Sequence, residues 1–439
     1  MTKIVIKKKI KTFNKIISVD SDKSLSIRSL LIGSQSYGLC KIKNLSKSGD
    51  ILSTINGLRK LGVKIFFKNR ICYLYGSGLS GFNYRKNILI NAGNSGTFAR
   101  LLLGLIIKTP NKIKLVGDNS LSKRDFKRIA DPLKEFGAKF ELRNKNNLPL
   151  KIIGSEYLKP INYFEKRGSA QCKSSVILAA LNTPGKTTIY AKKSRNHTEL
   201  LCKYLNLPIK IKSKKKVDEI RIKKIKKNIK SLNYNIPSDM SSSAFFIVLT
   251  TLIKNSVLTI KNVNINNSRI GIIHILKKMG VKIKFKNKRD YKGEKIANII
   301  IESPNVIKAI NCPIKYNSGA IDEFLVIFLV AAKAKGVSYF KGLSELNQKE
   351  SPRLKWGSKI LSKMGVKNIV TGDSIKIYGN PNLNLEKKII IKNYLKDHRV
   401  FMTSVIAALS FGGIWKIEDK DSIKTSFPNF LNIIEEFKK

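Results

Sequence analysis

Three short stretches in the second half of the chain carry acidic and basic residues of the kinds that move protons and bind anions. They are IDEF (321–324), KESPR (349–353) and DHR (397–399). Carboxylates before a helix can be plain complements to its partial positive charge, which is the simple explanation of Asp322 and Glu323. Partial burial would instead tune such a carboxylate to act as a general base. The sharper interpretation is proton transfer on a small ligand.

A second set of polar stretches lies in the first half of the chain, again where helices are expected to begin. They are DKSLSIR (22–28), GNSGTFAR (93–100), GDNSLSKR (117–124), SAQCKS (169–174) and SRNHTE (194–199). In the first of them, Lys23 and Ser24 lie on a first helical turn and Arg28 about one turn further on. An ammonium, a hydroxyl and a guanidinium can therefore face one ligand, and a capped surface helix is the simple alternative.

The two glycine-containing stretches suit an anion. Gly93 and Gly96 allow backbone N–H groups to approach a ligand closely, although a packing requirement explains them equally well. In the next stretch, Ser120 or Ser122 is expected to cap a helix whose first turn carries Arg124. The planar guanidinium of such an arginine matches a carboxylate, although a lone arginine there is usually solvated.

The last two stretches of this set offer uncharged groups beside one arginine. Ser169 and Gln171 begin a buried helix, where a hydroxyl and an amide suit a polyhydroxylated ligand and simple capping is the alternative. SRNHTE predicts a capping box with Thr198 and Glu199 in the first turn of a helix. Arg195, just before that helix, is a possible ligand contact.

A repeating pattern of helices positions these stretches. Six segments open with polar residues and then become apolar on all sides, which requires burial: 21–38, 94–106, 169–182, 238–253, 320–336 and 397–413. Six amphipathic segments alternate with them, and most close on a Gly that leads into a strand: 48–65, 120–140, 196–211, 266–283, 349–367 and 425–439. With the short β-like stretches between them, each unit is β-α-β-α-β-β, so the chain is predicted to be a mixed α/β protein of six repeats. Converging polar helix starts would form a strongly anion-seeking cleft.

Composition excludes several classes of protein. The 439 residues suggest two domains or more, and MTKIVIKKKIKTFNK lacks the apolar core of a secretory signal. No apolar run approaches the roughly 18 residues of a membrane span. Five scattered cysteines, none in metal-ligand spacing, indicate a reducing cytosol with no disulfide and no dedicated metal site. The net charge of +56 fits nucleic-acid binding or compositional drift. Drift is favoured, because the lysines are not gathered onto one helix face and no stacking aromatics lie among them.

Taken in order, the stretches resemble the 5-enolpyruvylshikimate-3-phosphate synthase family. The likeness runs from about Val19 to Phe430 and rests on DKSxSxR, GNSGT, GDxSLxxR, SAQxKS, SRxHTE, DxSSxAFF, IDEF, KESxR, DHR and TSFPxF. The resemblance implies an α/β, two-domain enolpyruvyl transferase fold with six βαβαββ repeats, three per domain, and helix N-termini facing an interdomain cleft. It places residues 19–235 in domain 1, mainly on the shikimate 3-phosphate side. It places residues 1–18 and 236–439 in domain 2, with the base and part of the phosphoenolpyruvate site.

The resemblance also implies a reaction: transfer of the enolpyruvyl group of phosphoenolpyruvate to the 5-hydroxyl of shikimate 3-phosphate, with release of phosphate, in chorismate biosynthesis. The residues implied for shikimate 3-phosphate are Lys23, Ser24, Arg28, Ser169, Gln171, Arg195, Asp322 and Lys349. Those implied for phosphoenolpyruvate are Lys23, Gly96, Arg124, Gln171, Arg353 and Arg399. Asp322 is implied as the base for the 5-hydroxyl, and Glu350 as the group that handles the proton at the enol methylene, with Lys23 as its competitor. The resemblance implies no cofactor, no metal, no membrane or specific nucleic-acid partner, and a monomer in the cytoplasm.

Other interpretations stay open at this point. UDP-N-acetylglucosamine enolpyruvyl transferase shares the implied fold, but no cysteine follows GDNSLSKR where that enzyme has one on a mobile loop. A basic nucleic-acid-binding protein and a decayed enzyme are further alternatives, and the intact set of charged residues argues against decay. Gly96, rather than Ala, leaves room beside the implied phosphoenolpyruvate site, from which we hypothesise that glyphosate inhibits the enzyme.

Overall fold

The computed structural model of the chain describes residues 2–79 and 81–438. Helices form in every segment for which the sequence predicts one, with a further short helix, α9, just before IDEF. In chain order the helices are α1 (Lys23–Ser34), α2 (Gly49–Lys60), α3 (Gly96–Leu105), α4 (Lys127–Glu135), α5 (Ala170–Ala180), α6 (His197–Tyr204), α7 (Met240–Leu252), α8 (Gly271–Lys278), α9 (Asn317–Ala320), α10 (Phe324–Ala332), α11 (Arg353–Lys363), α12 (His398–Phe411) and α13 (Phe430–Lys438).

Side-chain caps begin five of the six apolar helices, and each cap accepts a backbone N–H of the first turn. The capping residues are Asp22, Ser95, Ser169, Asp239 and Asp397. The sixth apolar helix, α10, follows Glu323, whose side chain makes no capping bond. Every residue of α7 and of α10 is buried, as predicted for helices without a polar face. The polar residues at these helix starts are therefore set by local chemistry, and the helix bodies are set by burial.

The strands are short, and most lie directly before or after a helix. In chain order they are β1 (Lys3–Ile6), β2 (Asn14–Ile17), β3 (Ser36–Lys43), β4 (Ile65–Lys68), β5 (Ile71–Ser77), β6 (Ile88–Asn91), β7 (Ile113–Val116), β8 (Lys139–Arg143), β9 (Asn147–Ile153), β10 (Asn162–Glu165), β11 (Lys186–Lys192), β12 (Ile209–Ser213), β13 (Val217–Lys223), β14 (Ile229–Lys230), β15 (Asn233–Asn235), β16 (Val257–Asn264), β17 (Lys282–Tyr291), β18 (Glu294–Glu302), β19 (Gly336–Phe340), β20 (Asn368–Thr371), β21 (Ser374–Gly379), β22 (Leu385–Ile391) and β23 (Gly412–Glu418).

Three sheets built from residues 36–235 share one strand pattern. In the sheet β6-β7-β9-β8 the first two strands are parallel and the remaining pairs antiparallel, which is the order that a βαβαββ repeat produces. The sheet β10-β11-β13-β12 has the same order. In the third sheet, β3-β5-β4, the leading parallel position is filled by β14 and β15, which come from the far end of this segment. The last strands of this segment, β14 and β15, therefore pair with its first strand, β3.

The other three sheets repeat the pattern in the rest of the chain. In β2-β16-β18-β17, the pair β2 and β16 is parallel and the pair β16 and β18 antiparallel. The sheet β19-β21-β20 is antiparallel, and two isolated parallel bridges, from Lys308 to Lys335 and from Asn311 to Tyr339, stand where a leading strand would lie. In β1-β23-β22 the chain start pairs with the last strand. The six predicted repeats, three to each half of the molecule, are confirmed.

The chain divides into two compact units. The first unit consists of Ser21–Ile236 together with Tyr291–Glu294. The second unit consists of Met1–Asp20, Pro237–Asp290 and Lys295–Lys439. The chain passes from the second unit to the first after Asp20, two residues after the boundary expected near Ser18. It returns to the second unit at Pro237, one residue after the boundary expected near Ile236. No pattern in the sequence predicts that Tyr291–Glu294, at the turn between β17 and β18, belongs to the first unit.

Each unit has its own hydrophobic core, and the apolar helices lie at its centre. The core of the first unit contains the buried faces of α1, α3 and α5, and that of the second unit those of α7, α10 and α12. Since these helix bodies are immobilised on all sides by packing, the polar residues at their starts are held by a rigid frame. Among the described residues, no helix is both long enough and apolar enough to cross a membrane.

Candidate active site

Arg353 is the centre of a charged cluster in the second unit. Its Nη1 lies 3.2 Å from Asp322 Oδ1, its Nε donates to Asp397 Oδ2 at 2.9 Å, and its Nη2 donates to Glu350. Lys349 adds a second cation, with Nζ 3.2 Å from Asp322 Oδ1. Arg353 and Asp397 are buried, whereas Asp322 and Glu350 are partly exposed. The predicted base, the predicted handler of the methylene proton and two predicted substrate cations thus form one network.

Arg353 and Asp397 keep each other charged. Burial opposes the charge on Arg353, but Asp397, Glu350 and Asp322 together raise its pKa above the ordinary value. Burial alone would raise the pKa of Asp397, but the guanidinium of Arg353 holds that pKa below its ordinary value. Arg353 is therefore a fixed cation whose direction is set by a buried carboxylate.

Arg399 contacts the backbone of the predicted base. Its own N–H donates to the capping carboxylate of Asp397 at 2.9 Å, and its Nη1 donates to the carbonyl oxygen of Asp322 at 2.7 Å. The buried Glu323 supplies a counter-charge, with Oε1 3.7 Å from the same Nη1. The tips of α10 and α12 are therefore joined, and Arg399 and Asp322 hold a defined position relative to each other.

A buried polar chain reaches Glu323 from the start of α7. Ser241 donates to Glu323 Oε1 at 2.5 Å and accepts from Arg269 Nη2 at 2.7 Å. Arg269 Nη2 also donates to Asp239 Oδ1 at 3.0 Å. Buried charges are tolerated only when they are paired in this way. The DMSS start of α7, which carries no predicted ligand contact, thus supports the neighbouring helix tip.

Arg28 is held by three helix tips in the first unit. Its Nε donates to Thr198 Oγ1 at 2.8 Å, its Nη2 to Ser174 Oγ at 3.3 Å, and its Nη1 to the carbonyl oxygen of Ser24 at 3.0 Å. Thr198 in turn donates to Ser174 at 2.7 Å. The starts of α1, α5 and α6 therefore meet at this guanidinium.

Burial opposes the positive charge of Arg28. The pKa of Arg28 is lowered to about 10, chiefly by burial; carboxylates led by Glu199 oppose this shift, and Arg195 nearby makes a smaller contribution to it. Glu199 Oε1 already lies 2.7 Å from Lys173 Nζ, and both of these side chains are buried. An anion bound beside Arg28 and Arg195 would relieve their repulsion.

Three other predicted residues lie on the same helix tips. Lys23 begins α1, and its Nζ lies 2.8 Å from Asp50 Oδ2 of α2. Ser24 follows it with a partly exposed side chain. Ser169 caps α5 by accepting the Cys172 N–H at 3.3 Å, and is also partly exposed. As a cap, the Ser169 hydroxyl only accepts a hydrogen bond, so its O–H can still donate to a ligand.

A second cationic group of the first unit surrounds the start of α3. Gln171 accepts from Arg100 Nη1 at 2.6 Å and donates to Thr97 Oγ1 at 2.9 Å. Arg124 Nη2 donates to Asn94 Oδ1 at 2.9 Å. Two of the predicted residues, Gln171 and Arg124, are therefore fixed around the helix whose first residue is the predicted Gly96.

Sequence reasoning missed Arg100. Burial, and after it the charges of Arg128 and Arg124, lower the pKa of Arg100 to about 9. Guanidinium groups that disfavour each other's charge in this way are stabilised by an added anion. The signal was available, because Arg100 closes the GNSGTFAR stretch four residues after Gly96, on the same face of a helix.

The expected position of Arg124 on a helix is wrong. A 3₁₀ turn, Leu121–Lys123, is followed by Arg124 in extended conformation, and α4 begins only at Lys127. The turn forms because Asp118 Oδ1 accepts the Leu121 N–H at 2.8 Å. Asp118 therefore caps this turn in place of the expected Ser120 or Ser122.

The expected capping box in SRNHTE is also wrong. Asn196 precedes α6 without a side-chain capping bond. Thr198 and Glu199 do lie in the first turn, but they face Arg28 and Lys173 instead of their own helix end. These two side chains satisfy groups of other helices, which a local sequence pattern cannot report.

The fold defines the class of protein. The two-unit arrangement of βαβαββ repeats is that of the enolpyruvyl transferases: the enolpyruvyl transferase NikO from Streptomyces tendae is similar over 99% of this chain and 97% of that chain, with a TM-score of 0.75 and 11% identity. At that identity the likeness concerns the fold alone.

Within this class, the EPSP synthase (3-phosphoshikimate 1-carboxyvinyltransferase) family model matches residues 7–434. The EPSP synthase from Acinetobacter baumannii is 32% identical, with a TM-score of 0.86 over 99% of this chain and 98% of that chain. The 3-phosphoshikimate 1-carboxyvinyltransferase of Ruthia magnifica subsp. Calyptogena magnifica is 38% identical over 434 residues, which are 99% of this chain and 97% of the relative. That of Sulfurihydrogenibium sp. (strain YO3AOP1) is 36% identical over 435 residues, 98% of this chain and 99% of the relative.

The chain therefore belongs to the EPSP synthase family. It is a transferase of the shikimate pathway, which serves aromatic amino-acid biosynthesis, and its reaction is the transfer of an enolpyruvyl group to shikimate 3-phosphate.

Proposed function

We propose that this chain transfers the enolpyruvyl group of phosphoenolpyruvate to the 5-hydroxyl of shikimate 3-phosphate at the helix-tip residues described above. The observation that carries the proposal is the cluster around Arg353. A carboxylate that can act as a base, Asp322, lies against two cations, and the backbone of the same residue holds a third, Arg399. The proposed base and the cations proposed to bind the substrates therefore lie together at the starts of packed helices.

In this proposal Asp322 removes the proton of the 5-hydroxyl. Lys349 and Arg353 favour its ionised form, which is the form a base needs before the reaction. As the 5-oxygen attacks C2 of phosphoenolpyruvate, the methylene carbon takes up a proton and a tetrahedral intermediate forms. Loss of a methyl proton and cleavage of the C–O bond to phosphate then give the product and inorganic phosphate.

Glu350 is proposed to handle the proton at the methylene carbon, with Lys23 as the competing candidate. Glu350 is partly exposed and is held by Arg353, so its carboxyl group has a defined direction. Lys23 is held by Asp50 in the first unit. Kinetic isotope effects on deuterated phosphoenolpyruvate, compared between Glu350→Gln and Lys23→Met, would assign the step to one of them.

We propose that the two anionic substrates bind at the cationic and polar residues predicted from the sequence. Lys23, Ser24, Arg28, Ser169, Gln171, Arg195, Asp322 and Lys349 bind shikimate 3-phosphate, and Lys23, Gly96, Arg124, Gln171, Arg353 and Arg399 bind phosphoenolpyruvate. The mutual repulsion of Arg28 with Arg195, and of Arg100 with Arg124, supports two anion sites in the first unit. It is also part of this proposal that the first unit mainly binds shikimate 3-phosphate, and that the second unit supplies the base and part of the phosphoenolpyruvate site.

The reaction is tested by phosphate release. Purified protein is expected to release phosphate from phosphoenolpyruvate only when shikimate 3-phosphate is present, and not with UDP-N-acetylglucosamine as the acceptor. Lys349→Met is expected to raise KM for shikimate 3-phosphate by about 10- to 100-fold, since a hydrogen bond to a charged group is lost. Lys355→Met, which removes an equal charge from the exposed side of α11, is the matched control and is expected to behave as the parent. Release that is independent of the acceptor would contradict the proposal.

Gly96→Ala is expected to raise KM for phosphoenolpyruvate about tenfold, because misplacing a substrate-binding group by a fraction of an ångström is costly. A Cβ at residue 96 would lie 2.9 Å from Arg100 Nη1 and 3.2 Å from Arg124 Nη1. Arg100 cannot yield freely, since Gln171 holds it. The inhibition constant of glyphosate is expected to rise as well.

Gly33→Ala is the control for this change. A Cβ at residue 33, inside α1, would meet its nearest atom, Cys40 Sγ, at an ordinary 3.5 Å. Steady-state kinetics with phosphoenolpyruvate varied would compare the two variants. A Gly96→Ala enzyme with unaltered KM and unaltered inhibition would show that nothing binds beside this glycine.

We also propose that the chain acts as a monomer in the cytoplasm, with no membrane partner and no specific nucleic-acid partner. The five cysteines are buried thiols, which suits a reducing compartment. Light scattering of the purified protein tests the first statement, and fractionation of cells tests the second.

A further inference from the structure

The turn Tyr291–Glu294 is anchored in the first unit by four successive residues. Tyr291 accepts the Asn235 N–H at its hydroxyl, at 3.0 Å, and Lys292 donates to the carbonyl oxygen of Asn233. Gly293 has φ +88°, and a Cβ there would lie 2.7 Å from the carbonyl oxygen of Leu200, in α6. The turn therefore packs closely against the helix that carries Thr198 and Glu199.

The last residue of the turn forms a buried hydrogen bond with that helix. Glu294 Oε1 lies 2.6 Å from His197 Nδ1, and both side chains are at most 2% exposed. Burying a carboxylate is costly unless it is paired and hydrogen-bonded. Simple packing of the turn could use an apolar residue here, so the buried carboxylate calls for a further explanation.

His197 is the first residue of α6, and the next two residues bind groups of the candidate site. Thr198 Oγ1 accepts from Arg28 Nε at 2.8 Å, and Glu199 pairs with the buried Lys173 at 2.7 Å. A small rotation of this first turn would move Thr198 away from the guanidinium. The direction of Arg28 thus depends on what holds the start of α6.

We propose that Glu294 is a positioning residue for shikimate 3-phosphate: through His197 it fixes the first turn of α6, and thereby the direction in which Arg28 faces its ligand. The proposal rests on the proposed role of Arg28 in binding this substrate. It assigns a part in substrate binding to a residue that is 266 positions away from Arg28 in the sequence.

The electrostatics of Arg28 give independent support. Glu294 is among the carboxylates that raise the pKa of Arg28 against the dominant effect of burial, together with Glu199 and Asp22. Glu294 therefore helps Arg28 to stay charged in a buried place, besides holding the helix that orients it. Both effects act through Arg28, and neither acts on the cluster around Arg353.

Glu294→Gln tests this proposal, because it keeps the size of the side chain and removes its charge. The KM and the dissociation constant of shikimate 3-phosphate are expected to rise about tenfold, as for a weakened charge-assisted hydrogen bond. We expect kcat to change less than about threefold, and KM for phosphoenolpyruvate at saturating shikimate 3-phosphate to stay unaltered.

Tyr291→Phe is the matched control in the same turn. It removes the hydroxyl that anchors the turn to Asn235 but leaves the link from Glu294 to Arg28 in place. If the turn served only to hold the fold together, Tyr291→Phe and Glu294→Gln would weaken substrate binding alike, or both would lower only the melting temperature. Either result would overturn the proposal.

His197 allows the link to be tested from its other end, which also covers a Glu294 variant that fails to fold. Asn places an amide N–H close to the position of the imidazole Nδ1, so His197→Asn is expected to retain more shikimate 3-phosphate affinity than His197→Ala. In the double variant Glu294→Gln/His197→Ala the losses are expected to be clearly less than additive, since one chain of contacts is cut twice. Equal losses in His197→Asn and His197→Ala would count against the link.

Arg28→Lys separates this inference from the proposed function. If Arg28→Lys binds shikimate 3-phosphate normally, the proposed role of Arg28 fails, and the inference falls with it. If Arg28→Lys binds it poorly while Glu294→Gln binds it normally, the role of Arg28 stands and the inference alone is wrong.

Discussion

Asp322→Asn is expected to lower kcat by about 10²- to 10⁴-fold, the range found when a general base is removed. The amide cannot take the proton of the 5-hydroxyl, but it fills the same space beside Lys349 and Arg353. Arg353 keeps its bonds to Asp397 and Glu350, so the fold is expected to persist. Single-turnover kinetics at saturating substrates, with circular dichroism to check folding, would measure the effect on the chemical step.

Glu386→Gln is the control for Asp322→Asn, since it removes one negative charge from an exposed position of β22 in the same unit. It is expected to leave kcat unaltered. An Asp322→Asn enzyme that keeps more than a tenth of the parent kcat would remove Asp322 from the role of base. A variant that no longer folds would show instead that its ion pairs with Lys349 and Arg353 are structural.

Asp397→Asn is expected to lower the free energy of unfolding by about 3–5 kcal/mol, the usual cost of leaving a buried charge without its partner. Asp397 is fully buried and accepts from Arg353, Ser351 and the N–H of Arg399. Because both arginines lose their common anchor, kcat/KM for phosphoenolpyruvate is expected to fall by more than tenfold. Urea unfolding and steady-state kinetics would measure the two effects.

The pH dependence of stability gives a second test of Asp397. Its pKa is lowered in the folded protein, so its contribution to stability is complete above the ordinary value of 3.8 and is lost as the pH falls towards the lowered value. The difference in unfolding free energy between the parent and Asp397→Asn is therefore expected to be constant near pH 7 and to shrink below pH 3.8.

Ser351→Ala is the control for this comparison. It removes one neutral hydrogen bond to the same carboxylate, and is expected to cost only about 1 kcal/mol. Equal losses of stability in Asp397→Asn and Ser351→Ala would mean that the charge of Asp397 has no special part in holding Arg353.

The helices were predictable because their signals are local. A segment such as FLVIFLVAA has no polar face, so it can only be buried, and the polar residues before it must lie at the helix start. The glycines that close the amphipathic helices take left-handed conformations, for example Gly62 with φ +86° and Gly280 with φ +94°. Neither signal depends on what else the chain contacts.

The local predictions that failed did so where the predicted partner had a competitor, either nearby in the chain or on another helix. Asp118 and Ser120 can each cap the segment after β7, and the carboxylate won, which left Arg124 extended. At α6, Thr198 and Glu199 fit a capping box, but they contact Arg28 and Lys173 on other helices instead. A pattern of residue types reports what a side chain can do, and not which of several partners it meets.

The sequence by itself determined the six repeats, the burial of their central helices and the polar residues displayed at each helix start, because periodicity and capping act over a few residues. Tertiary structure alone decided the partners: Asp397 for Arg353, Thr198 for Arg28, and Glu294 for His197, which lies 97 residues away. Such pairs form because packing brings distant segments together and because a buried charge must find a counter-charge wherever one is available. For that reason the types of group in the site could be read from the chain, and the groups that hold them in place could not.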